Sequence, residues 1–264
     1  MQNDKINFSL IIPIGLMLFS FFFGAGNLIF PPVLGQMAGE NISWGMLGFC
    51  LSGVGFPLLG VLAMAMKQSD NPDSIAMPMH PLYARAVTIL CALAIGPLFA
   101  IPRTAAVSFD TGIHSLLPAS CEAIGLPVYT VFFFVLTYFF SINPSKIIGH
   151  IGKFLSPMLL ICLAVLVICV FVNPTGSLKM PNPDFAVSPF FRGFQEGYNT
   201  MDLLAAILFG SITIKAIEAQ GITDKKVLTK LCSYAGLIAA FFLAIIYAAL
   251  AYTGALSINV FGVI

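Results

Sequence analysis

Apolar runs of about 20 residues, the length an α-helix needs to cross the hydrocarbon core of a bilayer, recur from one end of this sequence to the other. About seven such windows stand out, at residues 8–34, 43–66, 83–112, 127–142, 150–172, 193–214 and 227–254. A soluble domain of this length would carry about a quarter charged residues and show a helical or strand period. Here 9% of residues are charged and 59% are hydrophobic, and the apolar residues fill whole windows. The sequence therefore reads as an all-α, polytopic helical membrane protein, with residues 1–264 forming a single membrane domain. The apolar run after Lys5 continues through Leu28, Ile29 and Phe30 beyond the small residues Gly24-Ala25-Gly26, so it reads as a span and not as a cleaved signal.

Charge sets orientation and limits partners. With alternating spans, Lys5, Lys67, Arg85, Lys146, Lys153, Lys215, Lys225, Lys226 and Lys230 fall on one side, and Lys179 and Arg192 on the other. Short cytoplasmic loops accumulate lysine and arginine, which predicts a cytoplasmic amino terminus. The net charge of +1, without a basic cluster, argues against nucleic acid as a partner. The six cysteines, Cys121 among them, form no C-x-x-C pair, so neither a zinc site nor a disulfide framework is expected. The histidines, His80, His114 and His150, fall in loops or at span ends. Hydrolase and metalloprotease motifs are absent, and the chain does not read as an enzyme. The longest segment between spans, 173–192, carries Asn173-Pro174, Pro181-Asn182-Pro183 and Ser188-Pro189, which read as turns of an outer loop.

The chemistry concentrates in Ser20-Phe21-Phe22-Phe23-Gly24-Ala25-Gly26-Asn27-Leu28-Ile29-Phe30-Pro31-Pro32. Glycine weakens a helix and asparagine is costly to leave unpaired in lipid, yet both sit near the middle of the first span. Irregular backbone at that depth survives only where protein or a watery cavity satisfies it. The stretch reads as a helix broken near Gly24–Gly26. Carbonyls before the break would suit a cation, and amides after it an anion such as a carboxylate. Close packing through small residues is the alternative.

The sixth span has a comparable interruption in Gly193-Phe194-Gln195-Glu196-Gly197-Tyr198-Asn199-Thr200-Met201-Asp202, followed by Phe209-Gly210. Spans one and six are where an inverted repeat of five helices would place its two discontinuous members. The first repeat would cover about 8–172 and an incomplete second about 193–264. Glu196 suits a helix start at the water interface, whereas Asp202 lies deep enough to need a partner. Arg103, in the third span, is one candidate for that partner. Asp110, seven residues on and on the same helical face, offers Arg103 a local ion pair instead.

Three stretches carry a family resemblance: Phe23-Gly24-Ala25-Gly26-Asn27-Leu28-Ile29-Phe30-Pro31-Pro32; the run from Gly96-Pro97 through Pro102-Arg103-Thr104-Ala105 to Ser108-Phe109; and Gly197-Tyr198-x-Thr200-Met201-Asp202. The chain resembles the bacterial branched-chain amino acid carriers, cation symporters for leucine, isoleucine and valine; Asp110 stands where that family usually has glutamate. The resemblance implies a leucine-transporter-like fold in the bacterial cytoplasmic (inner) membrane, with no cofactor beyond a coupling ion, sodium or a proton. It implies that Gly24, Ala25, Gly26 and Asn27 hold the substrate carboxylate and ion, with Arg103, Thr200 and Asp202 nearby. Ser20, Phe22, Phe23 and Asn27 would be sodium ligands, and Leu203, Ala206 and Phe209 would line a side-chain pocket. One methylene discriminates by only about 1–3 kcal/mol, so such a pocket admits all three aliphatic substrates. Family members carry more spans than are read here, which implies an incomplete second repeat and a truncated or split carrier. Sodium symport is the leading expectation. Proton coupling, with Asp202 or Asp110 titrating, and a non-transporting membrane subunit are the alternatives.

Overall fold

In the computed structural model, which describes residues 8–118, 122–142, 156–172, 176–222 and 224–261, all regular structure is helical. Lys5, Cys121, Lys146, His150, Lys153 and the Asn173-Pro174 turn lie outside those residues. The first span is two helices, α1 (Phe8–Phe22) and α2 (Ala25–Ala38). The second is α3 (Ile42–Cys50), a π-helical segment (Leu51–Gly55) and α4 (Phe56–Lys67). The third is α5 (Pro81–Leu93), a second π-helical segment (Ala94–Leu98) and α6 (Ala100–Gly112). Helices α7 (Glu122–Ser141) and α8 (Ser156–Val172) follow. The short α9 (Pro183–Val187) leads into the sixth span, α10 (Pro189–Tyr198) with α11 (Asp202–Glu218), and α12 (Lys225–Phe261) is the seventh.

Among the described residues, four helical stretches are long and apolar enough to cross a membrane, and the α10–α11 pair, bent by 45°, makes a fifth. Leu10–Phe22 and Pro157–Val172 are shorter apolar helices. The 43-residue stretch Ala25–Lys67 is about twice a bilayer crossing and reverses at Gly39, whose φ of 50° only glycine adopts readily. Beyond that turn Gly45 comes back against Leu34 and Ala38. The chain is a polytopic helical membrane protein.

One span carries an interruption that the windows leave open, and one expectation needs correction. The third span is interrupted at Gly96 (φ −84°, ψ −118°), because Pro97 has no amide to give the preceding turn. The segment 173–192 is not all loop: Pro183 and Pro189 each occupy the first turn of a helix, where a missing amide costs nothing.

Spans one, two, six and seven build the core. One apolar cluster gathers Leu18, Phe19, Phe22, Phe23, Leu34, Phe49 and Tyr247; a second, nearer the other end of α1, gathers Ile11, Ile14, Met17, Met64, Ile214 and Leu231. Helices α5 to α7 are mostly exposed on the described structure, with apolar side chains outward as lipid requires. Glycines let two helix pairs touch backbone to backbone. On α2 and α12, a Cβ at Gly35 would lie 1.8 Å from the Ala251 carbonyl oxygen, and one at Gly254 would lie 2.1 Å from that of Pro32. On α3 and α10, a Cβ at Gly193 would lie 1.9 Å from the Gly45 oxygen, and one at Gly48 2.0 Å from that of Phe190. Contact this close suits lipid, where helices associate through packing and not through water exclusion.

Candidate substrate and ion site

Helix α1 makes its last regular bond from Phe23 N to Phe19 O at 2.8 Å. The next amide, Gly24 N, turns to the Asn27 Oδ1 atom at 3.2 Å, while Asn27 N bonds Gly24 O at 3.1 Å. Gly24 is extended (φ −115°, ψ −171°) and caps α2. Asparagine three residues into a helix can satisfy the cap amide in this way, so Asn27 itself holds the break open. Pro31 and Pro32 then deny the Asn27 and Leu28 carbonyls the partners that an uninterrupted helix would supply. Polar backbone is thus concentrated on both sides of Gly24.

The second break lies between Tyr198 and Asp202, where Met201 adopts the left-handed region (φ 67°). Thr200 Oγ1 bridges it, donating to Gly197 O at 2.8 Å and accepting from Asp202 N at 3.4 Å. The break falls at the end of the expected stretch Gly193–Asp202; Gly193 and Gly197 themselves are inside α10 and are packing contacts, Gly197 against the Phe49 carbonyl. Phe209 and Gly210 are likewise within α11.

The two breaks meet through side chains. Asn27 Nδ2 donates to Asp202 Oδ2 at 2.7 Å and also contacts the Tyr247 hydroxyl, which donates to the same Oδ2 at 3.2 Å. All three residues are buried. The Tyr247 ring lies 5.3 Å from that of Phe49 and 6.3 Å from that of Phe23, so an apolar shell surrounds this polar hub. Asp202 sits in the first turn of α11, where the helix dipole favours negative charge.

Arg103 pairs with neither acid that the sequence offered it. Among the described residues the ion pairs are Arg192 with Asp184 and Lys215 with Asp70. Arg103 instead donates from Nη1 to Asn199 O at 3.2 Å, and its Cζ lies 5.4 Å from the centroid of the Phe30 ring. It remains within electrostatic range of Asp202. Gly26 faces it so closely that a Cβ there would lie 2.7 Å from Nη2.

The other expected residues are placed as follows. Ser20 lies half-buried in the last turn of α1, with Phe22 and Phe23 buried beside it. Phe209 packs against Phe21 and Phe22, at 5.5 and 5.4 Å. Ala206 lies under Gly60 of α4, where an added Cβ would come within 2.7 Å of its own, so its methyl is committed to helix packing and does not line a pocket. Leu203 is half-buried and Ala25 follows the break at the start of α2. Asn27 Oδ1, expected on an ion, is engaged by Gly24 N, which also fixes Nδ2 toward the acid. Tyr247 was missed; a lone hydroxyl in the apolar run from Phe241 to Ala251 was the available signal. Ser52 was missed too. It lies in the first π-helical segment and donates to Phe194 O at 2.6 Å.

Comparison with known proteins points the same way. The family model described as branched-chain amino acid transport protein matches residues 8–263. The branched-chain amino acid permease BrnQ of Bacillus subtilis is 45% identical, over 100% of this chain and 60% of its own length. The branched-chain amino acid transport system 3 carrier protein of Pseudomonas aeruginosa is 38% identical, over 93% of this chain and 55% of its own length. The Escherichia coli K12 BrnQ permease is 39% identical, over 91% and 54%. The chain thus spans little more than half the length of these curated relatives. No solved structure matches. This chain belongs to the branched-chain amino acid transport protein family.

Proposed function

We propose that this chain supplies the binding site of a carrier importing leucine, isoleucine and valine with sodium, by alternating access around its two broken helices. The observation that carries the reading is the buried contact between Asn27 at one break and Asp202 at the other. A ligand that separates or reorders these two side chains acts on both discontinuous spans at once. A buried carboxylate without an ion-pair partner is costly, and a bound cation offsets that cost. Sodium would take the carbonyls of Ser20, Phe22 and Phe23, with Asp202 supplying the charge and Asn27 joining once Gly24 N releases it. The amides at the start of α2 suit the substrate carboxylate, and Phe209 with Leu203 faces its side chain.

The same hub favours one competing ion. A proton needs no coordination shell, and Asp202 is already enclosed by Asn27 and Tyr247, so proton coupling is the second reading. The setting is the bacterial cytoplasmic membrane with the amino terminus inside. Supporting that orientation, Lys215 meets Asp70, and Gln68 meets the start of α12, so Lys67, Lys215, Lys225 and Lys226 gather at one end of the bundle.

The test is equilibrium binding of radiolabelled leucine to the purified chain in detergent, with and without sodium across pH. Sodium-dependent binding, displaced by isoleucine and valine and lost in Asn27→Ala, is expected. Binding that ignores sodium and follows pH would transfer the coupling role to a proton. A folded chain that binds none of the three amino acids would leave only the subunit reading.

A further inference from the structure

A guanidinium offers five N–H groups, and the edge formed by Nε–H and the adjacent Nη2–H is the one that carboxylates take in two parallel hydrogen bonds. On Arg103 that edge makes no hydrogen bond among the described residues. Nη1 bonds Asn199 O, whereas Nε is shielded from solvent and has no hydrogen-bond partner among the described residues. Nη2 lies against Gly26, in the first turn of α2, and makes no hydrogen bond among the described residues. A buried, unpartnered donor is costly, and in native structures it calls for an explanation. The charge is also unpaired: no carboxylate of the described residues lies within ion-pair distance. Asp202 has its Oδ2 taken by Asn27 and Tyr247.

We propose that Arg103 is a substrate-recognition residue, whose Nε/Nη2 edge binds the α-carboxylate of the amino acid while Nη1 keeps its hold on the end of α10. This rests on the proposed function and deepens it. The absence of a side chain at Gly26 lets the guanidinium come this close to the first turn of α2, and the Phe30 ring, 5.4 Å from Cζ, holds it there. One side chain on the third span then touches both broken spans and the ligand. Carboxylate occupancy at the first break is thereby transmitted to the hinge at Met201 through the Asn199 carbonyl. The recognition is of an α-carboxylate in general and not of a particular aliphatic side chain.

The experiment compares leucine with leucinamide, which keeps the ammonium and the side chain but has no carboxylate, on the purified chain and on Arg103→Gln and Arg103→Lys. Arg103→Gln is expected to weaken leucine by about 10- to 100-fold, the range of a lost charged hydrogen bond, while changing leucinamide by less than about threefold. Arg103→Lys keeps the charge but not the fork and should fall between. Equal weakening of both ligands would assign Arg103 a purely structural role and overturn the proposal, as would unchanged leucine binding. Should Arg103→Gln fail to fold, Arg103→Lys decides, because its leucine-to-leucinamide preference must still drop. No leucine binding by the unaltered chain would overturn the transport reading itself, and this inference with it.

Discussion

Gly24 and Gly26 stand two residues apart at the same break, and the structure assigns them opposite sensitivities to alanine. Gly24 is extended at φ −115°, a conformation open to any residue, and a Cβ there meets nothing closer than the Asn27 Oδ1 atom at 3.7 Å. Gly24→Ala should therefore leave leucine affinity within about threefold and, by stiffening the unfolded chain, add about 0.4–1 kcal/mol of stability. At Gly26 the added Cβ would lie 2.7 Å from Arg103 Nη2 and 3.3 Å from Cζ. The guanidinium must retreat by about 0.7 Å to reach the 3.4 Å at which ordinary contact begins. Its bond to Asn199 O is already 3.2 Å long and does not survive that shift. A lost charged hydrogen bond costs about 1.5–3 kcal/mol and a disturbed cation–π contact about 0.5–1 kcal/mol. Even about 2 kcal/mol corresponds to about a 30-fold loss of leucine affinity. The thermal midpoint should fall as well, since alanine's helix preference of about 0.5–1 kcal/mol offsets only part of the lost contacts. Leucine affinity by equilibrium binding and the thermal unfolding midpoint, read on the same preparations, separate the two effects. Equal losses for both variants, or a larger loss for Gly24→Ala, would refute this account of the break.

Gly35→Ala and Gly254→Ala should each destabilise the fold by at least about 2 kcal/mol, seen as a lower thermal midpoint, because the new Cβ meets rigid main chain at 1.8 and 2.1 Å. Met201→Gly should raise the midpoint, since it relieves about 1 kcal/mol of left-handed strain at φ 67°. Tyr247→Phe removes a donor to Asp202 and a contact of Asn27 at a cost of about 1–3 kcal/mol, so leucine binding should weaken by about tenfold. Unchanged affinity in Tyr247→Phe would place the hub outside the binding reaction.

The break in the first span was legible because two glycines and an amide side chain stand together at a depth where a continuous apolar helix would carry neither. The second break lies inside the stretch Gly193–Asp202 that the sequence marks, but its exact position there is not legible, because glycine has two uses written with one letter. At Gly193 and Gly197 it allows helices to touch, while the actual bend falls on Met201, a residue with no propensity to mark it. Asp202 could be read as needing a partner, but choosing among Arg103, Asn27 and Tyr247 requires knowing which of three spans lies alongside. Ala206 shows the reverse limit: its small size suits a pocket wall and a helix crossing equally, and only the approach of Gly60 decides. Span boundaries came from hydropathy alone. The break at Gly96 has a local cause in Pro97, but a hydropathy window passes over it.

The second and sixth spans are strapped together at two heights. Above the bend, Gly193 and Gly197 of α10 press on the main chain of α3; below it, Gly60 and Gly210 seat α11 on α4. Between those straps the π-helical turn at Leu51–Gly55 lies level with the sixth span's bend, with Ser52 Oγ on Phe194 O and Gly53 against Gly197. Two rods lashed at both ends cannot flex singly. Any rocking of α11 relative to α10 must be absorbed by that wider turn next door.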